Sequence, residues 1–104
     1  MARDQRRRLA SDYPALARFL DGYFHQDFRV EHGSAARAAA AFVQDASETE
    51  RAAVERELTR LRSAIDGTPA EEWRAIIERI GGSWRPASLA SIDRVIAVLW
   101  PPPG

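Results

Sequence analysis

Leu16, Phe19, Leu20, Tyr23 and Phe24 recur at i, i+3, i+4, i+7 and i+8. That spacing lines up one face of an α-helix; a strand, whose side chains alternate with a period of two, cannot use it. Three further stripes follow at the same period: Val54, Leu58, Leu61 and Ile65; Trp73, Ile76, Ile77 and Ile80; Leu89, Ile92, Ile96 and Leu99. No stretch alternates apolar and polar residues between turn signals, so an all-α fold is expected.

Start and stop signals separate the stripes. Pro14 is tolerated in a first helical turn, where its missing N–H has no partner anyway, and Asp12 is placed to cap that helix. Gly22 inside the pattern costs about 1 kcal/mol relative to Ala, so close packing is expected there, and the helix should end near Asp27. Arg29 to Gly33 reads as a connection. Ser34 caps a second helix, Ala35 to Val43, whose alanines bury little area and leave Phe42 and Val43 as anchors. Ser47 and Glu50 form a capping box for the third and longest helix, which Asp66-Gly67 ends. Thr68-Pro69-Ala70-Glu71 reads as a second capping box, and Gly81-Gly82 stops the fourth helix. After the loop Ser83 to Ala87, Ser88 caps a last helix that Pro101-Pro102-Pro103 cannot continue. The expectation is one compact domain of about five helices over residues 1–104, with 1–11 a frayed leader and 101–104 a tail.

A chain of 104 residues supports one hydrophobic core. It has no cysteine, which removes disulfides, thiolate metal sites and a thiol nucleophile. Fifteen basic residues, all Arg, balance fifteen acidic ones, a poor balance for coating nucleic acid. Arg3 and Arg6-Arg7-Arg8 precede no apolar run, so no export signal is read, and no stretch approaches the roughly 18 apolar residues of a membrane span.

Tyr23-Phe24-His25-Gln26-Asp27-Phe28 is the chemically richest run. His25, Asp27, Glu31 and His32 are the one cluster with metal-ligand chemistry, but their spacing matches no established site. The competing reading is a helix-end network in which His25 and Gln26 satisfy free carbonyls and Asp27 orients an imidazole or caps a turn. His25 with Asp27 could serve as an acid–base pair, yet no nucleophile, phosphate-cradling loop or paired carboxylates accompany them, so no enzyme and no cofactor are expected. The segment from Trp73 through Gly81-Gly82 to the last helix has a helix–turn–helix outline, with Arg85 and Arg94 placed for phosphates. A nucleic-acid-binding regulator using those two helices is the alternative function. Against it, the last helix is apolar on both sides, and Trp73, Trp84 and Trp100 suit packing better than base stacking. Asp12, Asp21, Asp27 and Glu31 gather around the first helix, and Asp45, Glu48 and Glu50 lead into the third. Such segregation can present a negative patch to a basic partner; its plainer use is to complement helix dipoles.

Tyr13-Pro14-Ala15-Leu16, then Phe19-Leu20, then Gly22 to Phe28, an acidic residue and Gly33 resemble the CdiI-type immunity proteins of bacterial contact-dependent growth inhibition. That family carries a tyrosine, phenylalanine, histidine, glutamine, aspartate run followed by an aromatic, usually tryptophan, where this chain has Phe28. The match is specific over Tyr13 to Phe42 and general beyond. The resemblance implies a small cytoplasmic helical protein without catalysis of its own, which binds and blocks the toxin domain of a cognate effector. Such toxins are commonly nucleases with basic clefts, for which an acidic face is the complement. Signature residues shared across members that meet different toxins imply a structural role for Tyr23, Phe24, His25, Gln26 and Asp27. The expected contact residues are Asp21, Asp27, Glu31, Asp45 and Glu48.

Overall fold

A computed structural model describes residues 9–100. Among them six helices stand in order: α1 (Pro14–Tyr23), α2 (Phe28–His32), α3 (Ala35–Asp45), α4 (Glu48–Ile65), α5 (Ala70–Ile80) and α6 (Leu89–Leu99). Residues 9–12 are helical as well, so the helices outnumber the five expected from stripes and caps. Residues 9–11 of the segment read as a leader belong to that helical turn. The Arg3 to Arg8 run and the 101–104 tail lie outside the described residues.

α2 is the main departure. Arg29 to His32, read as a connection, are helical, because the Asp27 carbonyl accepts from the N–H groups of Val30 and Glu31 at 3.0 and 3.1 Å. A five-residue helix shows no full period, so its pattern is invisible to periodicity. Gly33, at φ +87°, ends it as the turn residue. α1 therefore stops at Tyr23 rather than near Asp27. Its N-cap is Tyr13 with no side-chain cap, and the expected Asp12 cap is not formed. Thr68 likewise gives no cap to α5, whose N-cap is Pro69. Of the three expected serine caps two form: Ser34 Oγ accepts from the Arg37 N–H at 3.2 Å and Ser47 Oγ from the Glu50 N–H at 3.1 Å, whereas Ser88 stands at the N-cap of α6 without a side-chain cap bond.

One core runs through the molecule. α6 packs chiefly against α3 and α4, and α4 against α1. The alanines of α3 permit this: Ala38 and Ala39 are fully buried, and small side chains let neighbouring helices approach. The stripe of α4 is buried at Val54, Leu58, Leu61 and Ile65. α6 buries Ile92, Val95 and Leu99, with Leu89 and Ile96 at the margin, so its inward face is turned slightly from the one the spacing suggested. An aromatic chain crosses the core, from Phe42 to Phe19 at 4.7 Å, Phe19 to Phe24 at 5.2 Å, and Phe24 to Phe28 and Trp84 at 5.1 and 4.9 Å. It ties α1 to α2, α3 and the α5–α6 loop.

Gly22 is exposed, with nothing within 4 Å of where a Cβ would stand, so close packing is not what it serves. The close approach lies at Gly81-Gly82. A Cβ on Gly82, whose φ is +66°, would lie 2.6 Å from the Leu20 carbonyl oxygen. The α5–α6 loop crosses the C-terminal end of α1 at a distance only glycine permits.

Candidate functional site: the signature run and its surroundings

The aromatic and polar members of the signature run separate cleanly. Phe24 and Phe28 are buried. His25 is half-exposed and fastens the turn between α1 and α2: its Nδ1 accepts from the Asp27 N–H at 3.2 Å, and its Nε2 lies 3.1 Å from Glu31 Oε2. With Nδ1 accepting, the ring proton sits on Nε2 and donates to Glu31. His32 Nε2 approaches the same carboxylate at 3.7 Å. Both imidazoles thus address Glu31, and among the described residues no group of three or more such side chains is arranged to hold a metal ion. The carbonyl of His25 is satisfied by the Phe28 N–H at 2.9 Å. Gln26 is exposed, and its side chain makes no hydrogen bond among the described residues.

Tyr23 points elsewhere, to a cavity of about 200 Å³ where α1, α3 and the start of α4 meet. Its hydroxyl donates to Asp45 Oδ2 at 2.9 Å. Burial pushes its pKa above the ordinary tyrosine value; the Asp45 hydrogen bond and the charges of Asp45 and Glu50 push it the same way.

The five acidic residues singled out from sequence fall into four places. Asp21 turns toward the α5–α6 loop, accepting the Gly82 N–H at 2.9 Å. Tyr23 lies two residues on, about 200° around α1, and meets Asp45 on the opposite side. Asp27 and Glu31 flank the exposed turn of α2, where Val30 is 88% exposed. Glu48 is open to solvent at the first turn of α4, 4.0 Å from Arg51. Asp27 and Glu31 are brought together, as the α2 helix requires; Asp45 joins Glu50 instead, and Asp21 stands alone.

Sequence reasoning placed Glu50 in an acidic segment but not at a cavity, and gave no role to Arg18, which lines the cavity with it, or to Glu57, whose Oε1 accepts the Leu16 N–H at 3.0 Å. Asp45 and Glu50 bracketing the short turn between α3 and α4 was the available signal for Glu50. Glu57 had none, since its partner is 41 residues away.

Arginines of the α5–α6 segment are engaged within it. Arg74 donates to the carbonyls of Pro86 and Ala87 at 2.8 and 2.7 Å. Arg85 is paired with Glu78 and, at 3.9 Å, with Glu71. α6 spends its apolar face on α3 and α4. Trp73 and Trp84 are buried and Trp100 is 54% exposed. Arg62, held between Asp66 and Asp93 at 3.0 Å each, has its pKa raised first by the Asp66 hydrogen bond.

Fold and site together define a small all-helical domain whose polar residues fasten helix ends and whose acidic side chains face solvent. The chain belongs to the CdiI immunity protein family, whose model matches residues 12–93. The match extends well past the Tyr13 to Phe42 segment that carried the resemblance. No curated protein and no solved structure matches the chain. Among the described residues no helix is long and apolar enough to cross a membrane.

Proposed function

We propose that this protein binds the toxin domain of a cognate effector and neutralises it, acting in the cytoplasm and without catalysis of its own. The observation that carries the reading is the family match over residues 12–93. The toxin is a nuclease in this reading, and the mechanism is occlusion: an acidic surface covers a basic substrate cleft, so steering speeds encounter and like charge rejects wrong partners. Solvent-facing Asp27, Glu31, Asp45 and Glu48 supply that surface. Asp21 contributes less, since it is turned toward the α5–α6 loop, where it accepts the Gly82 N–H.

The test is co-expression. The toxin domain encoded by the adjacent upstream gene is induced with and without this chain; survival only in its presence supports neutralisation, and equal killing in both cultures sinks it. Adding the purified chain to the toxin with duplex DNA or RNA then tests occlusion. Inhibition should be competitive with nucleic acid and weaken as salt rises.

A further inference from the structure

We propose that the cavity between α1, α3 and α4 is a socket for a basic side chain of the toxin, arginine in particular. The proposal rests on the immunity reading and names the anchor of the complex.

Phe19, Phe42 and Val54 line the interior of the cavity, and Tyr23 forms part of its wall. Tyr23 stands edge-on to Phe42 at 5.4 Å. Aromatic faces attract a cation, and more strongly where water is excluded. Among the described residues, the carboxylate of Asp45 has one hydrogen bond, from Tyr23, and that of Glu50 has none. Asp45 therefore keeps an oxygen free, and Glu50 keeps both. Both residues line the one cavity, so their charges act on one region. Arg18, exposed and part of the same lining, makes no ion pair, so among the described residues no cation is paired with either carboxylate.

The size fits as well. About 200 Å³ holds roughly six water-sized groups at about 30 Å³ each, the dimensions of a guanidinium with its adjoining methylenes. A planar fork with five donors suits two carboxylates at the mouth of an aromatic slot better than a compact, strongly hydrated ammonium does. A nuclease cleft lined with arginine offers such a side chain.

Two measurements test it. Methylguanidinium chloride is titrated into the purified chain at constant ionic strength and followed by NMR, with methylammonium chloride as the control. Expected are saturable shifts at the Tyr23 and Phe42 rings and the Asp45 and Ala46 amides, saturating on the order of 10 mM. They should be weaker with methylammonium and absent from the Asp45→Asn, Glu50→Gln double variant. Shifts no larger than those from sodium chloride overturn the socket. In the second measurement Asp45→Asn and Glu50→Gln should each weaken toxin binding roughly tenfold, chiefly by faster dissociation. Arg18→Ala should leave affinity unchanged or raise it. If the wild-type chain protects but the folded double variant binds as tightly, the socket alone falls. If the wild-type chain does not protect, the immunity reading and the toxin as occupant fall together.

Discussion

The Asp21 carboxylate accepts a hydrogen bond from the Gly82 N–H at 2.9 Å, joining the last turn of α1 to the α5–α6 loop across 61 residues of sequence. One residue further on, the Ser83 N–H donates to the Phe24 carbonyl at 2.6 Å. Two consecutive loop amides thus fasten to one helix end, and Trp84 follows directly into the core against Phe24. The glycine makes the approach possible and the carboxylate fixes its register.

Glycine substitutions separate this close approach from simple helix propensity. Gly82→Ala meets the Leu20 carbonyl oxygen at a φ of +66° and should cost on the order of 3 kcal/mol. Gly22→Ala meets nothing within 4 Å and should stabilise by about 0.5 kcal/mol through a stiffer unfolded chain and a better helix former. Urea midpoints of the two variants should move in opposite directions; movement in the same direction would falsify the assignment.

The hydroxyl of Tyr23 makes a prediction with a definite sign. Its pKa is raised in the folded state above the ordinary 10.0, so the folded protein holds this proton more tightly than the unfolded chain. The associated stability is complete below pH 10 and is lost as pH rises through the folded value. Tyr23→Phe should cost about 1 kcal/mol at neutral pH. Above about pH 10 the wild type should lose stability faster than the variant, so the two denaturation curves converge. Parallel pH profiles would show that the Asp45 bond is not formed in solution.

Arg74 is predicted to be irreplaceable by lysine. Its Nε and one terminal nitrogen reach two successive carbonyls, Pro86 and Ala87, a fork that a single ammonium cannot span. Arg74→Ala and Arg74→Lys should both lose roughly 1–2 kcal/mol in thermal or urea unfolding. Full rescue by lysine would reduce the contact to charge alone.

What was legible in the sequence is what local physics decides. The α4 stripe is buried at every position named, and Ser34 and Ser47 cap the helices they precede, because periodicity and capping involve residues a few positions apart. Phe24, the last member of the α1 stripe, is buried for the same reason. What was not legible depends on pairs far apart in sequence or on elements too short to show a period. α2 has five residues, the glycine contact needs Leu20 beside Gly82, and the cavity needs three helices to converge around Tyr23. The aromatic run read as a single structural cluster is thus two things: a core anchor at Phe24 and Phe28, and a cavity wall at Tyr23.

Glu57 offers the sharpest test of a long-range contact that no pattern announces. Pro14 opens α1, Tyr13 provides no side-chain cap, and the Leu16 N–H would be one of the helix's orphan donors. Glu57, midway along α4, accepts it at 3.0 Å. The carboxylate also places negative charge at the positive end of the α1 dipole. Glu57→Ala should therefore cost about 1.5 kcal/mol, the worth of a hydrogen bond to a charged group. Glu57→Gln, which keeps an accepting oxygen without the charge, should lose less than half of that. Hydrogen exchange localises the effect: the Leu16 amide should exchange faster in Glu57→Ala, while the amides at the Ser47-capped start of α4 stay protected. Equal loss of protection in α1 and α4 would instead make Glu57 a matter of helix propensity within α4.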